Sequence, residues 1–164
     1  MGEKIEEIIE SISNLIEKEN YRNELKEFRF IAENIKDIIF LQNLDLEILY
    51  VSPSIEKNMG YQPKEIIGEN VGNLLTEDSF KRGKKIYCKY LDKAKNEKDV
   101  KIPYHQFEYF RKDGSTYWGE ISFKFIYNSR GDPLATLGVL RDITERKQKE
   151  RNSRKQRKLL ETIM

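Results

Sequence analysis

The chain has 164 residues, enough for one ordinary domain with flanking elements but not for two full domains. Charged residues make up 35% and mean hydropathy is −0.74, yet nine Tyr and eight Phe are too many for a disordered chain. The net charge of +2 hides a segregation of signs along the chain, and a lone Cys88 with a lone His105 excludes an internal disulfide and speaks against an internal metal cluster.

The longest apolar runs, such as 38–41 and 48–51, are strand-sized and far short of a membrane span, so no direct membrane contact is expected. Met1-Gly2 runs straight into Glu3 and Lys4 with no secretory signal, and Glu6 stands where a myristoylation motif wants Ser or Thr. The chain therefore reads as cytoplasmic.

Residues 1–28 read as the first unit, an amphipathic helix. Ile5, Ile9, Ile12 and Ile16 recur at 4-3-4 spacing, and Tyr21, Leu25 and Phe28 repeat it. This stripe is as narrow as a two-helix seam, and the remaining surface carries eight acids against four bases. The segment suits pairing with another helix better than a place in a core.

Residues 29–144 hold most of the aromatics and most of the turn signals. Two strands are expected at 37–43 and 47–51, joined by a turn around Asn43–Asp45. Ser52-Pro53 predicts a helix start with Ser52 as N-cap; Gly60 ends that helix, Pro63 starts another and Gly68 stops it. Thr76 before Glu77 and Asp78 marks a long helix to about Asn96. Strands follow at 104–111, 115–127 and 134–141, with Asp113-Gly114 and Asn128–Asp132 as the turns. Tight turns in this order favour an α+β domain, an antiparallel sheet with helices over one face. A third unit, 145–164, is a linker helix whose first turns set eight bases between Arg146 and Lys158 against Glu145 and Glu150.

Three stretches carry a family resemblance: Asn58-Met59-Gly60-Tyr61 with Pro63–Gly68, Arg111-Lys112-Asp113-Gly114-Ser115 with Trp118, and Gly138 through Arg146. In this order and spacing, residues of about 29–147 resemble the PAS domain family of the type ending in a PAC motif. The resemblance implies a five-stranded antiparallel sheet with helices over one face and a core able to hold a small ligand. It also implies a downstream effector such as a histidine kinase, a diguanylate cyclase or a further PAS domain. Lys158–Met164 resembles the start of another such domain, so the chain reads as a fragment of a longer sensor. No phosphate-binding glycine loop or paired-acid spacing points to an enzyme.

Comparison with light-sensing LOV relatives excludes their flavin–cysteine photochemistry. Val71 stands where the reactive Cys would be and Leu75 replaces a Gln. Tyr109 and Gly119 occupy the places of flavin-binding Asn residues, and Leu140 that of the signalling Gln. Haem is disfavoured, since the long helix offers Tyr87, Cys88 and Tyr90 but no His. Cys88 is expected as a quiet, partly buried thiol and His105 as a polar or hydrogen-bonded side chain at a strand start.

Strand parity assigns the inward-facing candidates for a ligand pocket. They are Ile38, Phe40 and Gln42 on the first strand and Phe107 and Tyr109 on the third. Ile121 and Phe123 join them from the fourth, and Thr136, Gly138 and Leu140 from the fifth. Ile55, Met59, Val71 and Leu74 close the pocket from the helical side. Gln42, Tyr109 and Thr136 are polar groups that an apolar core must satisfy, which is how a small-ligand site looks. A core simply filled by its aromatics fits the sequence as well. The two readings are a ligand-sensing input domain and a ligand-free dimerisation or adaptor module.

Thr144 is expected to cap the last helix, with Asp142 fixing the junction through a backbone or Arg/Lys hydrogen bond. Local capping alone explains both residues; the resemblance adds a signal-output role. The acidic first helix and basic last helix suggest a homodimer through the flanking helices. The basic stretch also raises a transcriptional regulator as a third reading, but no recognition motif accompanies it and no nucleic-acid partner is expected.

Overall fold

In the computed structural model the described residues are 35–164, so the expected helix at 1–28 lies outside them. Five antiparallel strands form one sheet: β1 (Ile38–Asn43), β2 (Ile48–Val51), β3 (His105–Phe110), β4 (Thr116–Tyr127) and β5 (Pro133–Asp142). Their spatial order is β2-β1-β5-β4-β3, which places the last strand at the centre beside the first. Between β2 and β3 run the short helices α1 (Ser54–Met59) and α2 (Pro63–Ile66), a 3-10 turn at Val71–Leu74, and the long α3 (Glu77–Asn96). Helix α4 (Thr144–Ile163) leaves from the end of β5.

The turns are built from the side chains that marked them. Asn43 Oδ1 accepts from the backbone N–H groups of Asp45 and Glu47. Asn128 Oδ1 does the same for Arg130 and Asp132. Asp113 Oδ1 accepts from the Ser115 N–H and hydroxyl, while Gly114 takes the φ of +87° that a side chain would resist. Gly60 ends α1 in the left-handed region, its N–H on the Glu56 carbonyl. Glu65 reaches back to the Gln62 N–H at 2.8 Å to cap α2.

Ser52 departs from its expected role. The N-cap position of α1 belongs to Pro53, and no side chain caps it. The Ser52 hydroxyl, fully buried, instead accepts from Ile39 N–H at 2.8 Å and bonds the Ser54 hydroxyl at 2.7 Å. The β1 backbone competes for that oxygen and wins, because an unpaired buried N–H there is more costly than an uncapped exposed helix end.

Cross-strand pairs fix the inner face. Phe40 pairs with Gly138, Gln42 with Thr136, Ile38 and Ile121 with Leu140, and Phe123 with Gly138. Partners directly opposite share a face, so this set lies under the helices. Ile38, Phe40, Ile121 and Leu140 join Ile55, Met59, Ile66 and Leu74 in the main core, while Phe123 packs with Tyr87, Tyr90 and Phe125. The opposite face carries a second apolar cluster, Ile39, Leu41, Tyr50 and Ala135, from the alternate positions.

Candidate functional site

Two adjoining cavities lie between the sheet and the helices. The inner one, about 30 Å³, is enclosed by Ile38, Phe40, Ile55, Met59, Leu74 and Leu140 together with neighbours from β2 and α2. The outer one, about 60 Å³, lies under α3 between Gln42, Phe107 and Phe123. Val71, Tyr109 and Ile121 line both and form the wall between them. Twelve of the fourteen candidate residues thus come together around this space.

Thr136 and Gly138 do not line it. Thr136 is fully buried beside Gln42, and the ring of Phe40 covers Gly138, where an added Cβ would sit 2.3 Å from a ring carbon. Parity chose the face correctly, but a small residue beneath a large one is hidden from the cavity. Sequence reasoning missed the contribution of α3, which brings Phe80, Gly83, Lys84, Ile86 and Tyr87, and of the loop residues Leu46 and Leu75. The helical spacing of Phe80, Gly83, Ile86 and Tyr87 (i, i+3, i+6, i+7) was the available signal.

The polar groups in this space are few. Gln42 is 6% exposed, and its Oε1 has no hydrogen-bond partner. Outside the cavity lining, the Thr136 and Tyr117 hydroxyls are likewise buried and unpartnered. Burial pushes the Tyr109 and Tyr117 phenols upward, so both stay neutral. Their rings stack with centroids 5.7 Å apart. Burial, reinforced by Cys88 and Asp45, raises Tyr87 to about 12, and its hydroxyl donates to the Leu44 carbonyl at 3.1 Å.

Two other residues differ from expectation. Cys88 is exposed on the outer side of α3 rather than partly buried. His105 has a buried Nε2 with no partner, instead of a hydrogen bond. It packs between Tyr90 and Phe107, and burial, with Arg82 and Lys89 nearby, holds its pKa below the ordinary 6.5. Among the described residues no cluster could hold a metal ion, and no helix is long and apolar enough to cross a membrane.

At the far end of β5 the chain turns into α4. Asp142 Oδ1 accepts from the Thr144 N–H at 2.9 Å, and its Oδ2 meets Arg111 at 3.4 Å. Asp142 is therefore the side chain that satisfies the helix start. Thr144 is the first helical residue, and its hydroxyl accepts instead from the Trp118 N–H at 3.3 Å. The Ile143 N–H donates to the Trp118 carbonyl, and Lys147 lies 4.8 Å over the Trp118 ring. Arg146 pairs with Glu120 at 2.6 Å, a contact that holds the Glu120 carboxyl below its usual range.

Arg111 links this junction to the cavity. Its guanidinium lies 4.8 Å over the Tyr117 ring and donates to the Thr116 carbonyl and to the Asn58 carbonyl in α1. Asn58 neighbours Met59, which lines the inner cavity and whose carbonyl accepts from the Lys112 N–H. One side chain thus touches the cavity's helical cover, the β3–β4 hairpin and the start of the outgoing helix.

Comparison with known proteins agrees with this geometry. The sequence profile described as PAS domain matches residues 36–145. The chain is 26% identical over 130 residues to Sporulation kinase C of Bacillus subtilis, covering 79% of this chain and 29% of the kinase. It therefore spans under a third of that curated relative. The PAS domain of a Colwellia psychrerythraea protein superposes with a TM-score of 0.65 at 21% identity, covering 74% of this chain and 98% of the other. A sensory box histidine kinase/response regulator from Burkholderia thailandensis gives a TM-score of 0.63 at 21% identity, covering 83% and 98%. The match over most of the chain, together with the five-stranded sheet and its helical cover, shows that the protein belongs to the PAS domain family of sensory modules.

Proposed function

We propose that this PAS domain is the input module of a longer signalling protein and reads a small molecule in the cavities between sheet and helices. The observation that carries the proposal is the buried, unpartnered Gln42 carbonyl lining an apolar cavity, since a buried polar atom left unpaired costs about 1–3 kcal/mol unless something meets it. A ligand there would press on Tyr109, the wall shared with the inner cavity that Met59 lines. That displacement has a route to α4 through Arg111, Asp142 and the Trp118–Thr144 contact. Asp142 and Thr144 are the proposed output residues. The effector is a kinase-type domain following α4, in keeping with the match to Sporulation kinase C, and the module works as a homodimer through its flanking helices. An exposed free thiol at Cys88 suits a reducing cytoplasm.

The second reading, a ligand-free dimerisation or adaptor module, draws support from cavity size. About 60 and 30 Å³ together are far below the space a flavin or haem needs. The test is methyl NMR of 13C-labelled Ile, Leu and Met with a library of small fragments. The sensing reading expects shifts at Met59 and Ile121 that extend to Ile143 at the junction. A library that leaves these methyls unmoved would establish the filled-core reading, and light scattering of the same sample reports the dimer.

A further inference from the structure

The outer cavity carries a more specific instruction than its volume. Room for about four to six water-sized atoms limits any occupant to a compact molecule. Its walls are aliphatic and aromatic, from Val71, Phe80, Ile86, Phe107 and Phe123, and besides the phenols of Tyr87 and Tyr109 two lining residues are polar. One is the buried Gln42 amide. The other is Lys84, the sole charged residue lining the cavity.

Lys84 is exposed and stands at the cavity's edge, with its ammonium 6.0 Å from the Phe80 ring centroid. Among the described residues it makes no ion pair, whereas its helix neighbour Lys81 pairs with Glu77 at 3.0 Å. The surrounding surface reinforces its sign. Helix α3 sets Lys81, Arg82, Lys84, Lys85, Lys89, Lys93 and Lys95 against Glu77, Asp78 and Asp92. Arg82, 5.0 Å over the Phe107 ring, adds a second cation beside a wall of the same cavity. A concave apolar site rimmed by one sign of charge concentrates small ions of the opposite sign.

Resting on the reading that this cavity is the ligand site, we infer that it takes a short-chain monocarboxylate, apolar tail inward and carboxylate on Lys84. The tail replaces empty volume against Phe107 and Phe123. The Gln42 Oε1 accepts from a hydroxyl substituent on the chain where one is present. A dicarboxylate is excluded, because its second charge would be buried among aromatic walls without a counterion. A neutral molecule of the same shape leaves the ammonium unused, and a cation meets repulsion from α3.

The experiment titrates the 13C-methyl-labelled chain with n-butyrate and, separately, with its neutral isostere butyramide, at low and high salt. Butyrate is expected to bind with a Kd on the order of a millimolar, shifting Ile86 and Ile121 methyls, and more tightly than butyramide. Lys84→Met, at an exposed site that leaves the fold intact, weakens butyrate about three- to tenfold and leaves butyramide unchanged. Lys85→Met, exposed on the same helix and outside the lining, leaves the butyrate preference in place, which separates the Lys84 contact from the general charge of α3. Equal binding of both probes, or an indifferent Lys84→Met, overturns the carboxylate assignment while leaving the sensory cavity standing. Silence from both probes also overturns it, and the sensory reading falls with it only if the whole fragment library is silent too.

Discussion

Gly83 sits in the middle of a twenty-residue helix, where glycine is the least stabilising residue short of proline. An added Cβ there would lie 3.4, 3.5 and 3.8 Å from three ring atoms of Phe107, ordinary van der Waals contact. Gly83→Ala therefore meets no steric barrier. It gains about 1 kcal/mol of helix propensity and a part of the roughly 0.8 kcal/mol for burying a methyl group. A net gain of about 1–1.5 kcal/mol raises the melting temperature of a domain this size by about 4–6 °C. The same methyl occupies cavity volume facing Phe107, so affinity for any fragment that shifts the Ile121 methyl should fall. The assay pairs thermal melting by circular dichroism with the methyl titration. A more stable variant with undiminished affinity would show that ligand does not use the space under α3. A variant no more stable than the parent would refute the claim that this space is open at all.

Two further outcomes follow from the site's geometry. Arg111→Met removes the Asp142 pair, the bond to the Asn58 carbonyl and the cation over Tyr117, at an expected cost of about 1–2 kcal/mol. Amide exchange at Ile143 and Lys147 should accelerate more than in β4, and unchanged protection there would break the proposed link between cavity and helix. His105, depressed below 6.5 mainly by burial, binds its proton more weakly in the folded chain than in the unfolded one. Its contribution is fully present above 6.5 and is lost as pH falls below that value. The difference in urea midpoint between the parent and His105→Gln should therefore change between pH 7.5 and pH 5, in the direction that disfavours the parent in acid. A constant difference would show that the ring titrates normally.

The sheet was legible in the sequence because its signals are local. Alternation placed Phe107 and Tyr109 on one face, and Asp113-Gly114 and Asn128–Asp132 specified their turns by side-chain chemistry that acts within four residues. What escaped depended on which distant group competes for an atom. Ser52 and Thr144 are good caps by type, yet each hydroxyl is claimed by a backbone N–H from another strand, Ile39 in one case and Trp118 in the other. The helical wall of the cavity escaped for a related reason. Periodicity gives α3 an apolar face but not the height at which that face crosses the sheet, so Gly83 and Ile86 could not be matched to Phe107 and Ile121. Cys88, between the inward-facing Tyr87 and Tyr90, points outward because it lies on the helix's other side.

The glycines on the inner face of the sheet determine the depth of the site without belonging to its lining. Gly138 lies beneath the Phe40 ring, and Gly119 beneath Leu140 and Tyr109, with prospective Cβ distances of 2.3 and 2.5 Å to the nearest atoms. Phe40, Leu140 and Tyr109 form the floor of the two cavities, so each rests on bare backbone. A single methyl at either position would push its neighbour up into the space, shrinking it from below while every lining side chain kept its identity. The volume of the cavities is thus set two layers down, and under the proposed sensing role it could be retuned for a smaller or larger molecule at positions that the molecule never touches.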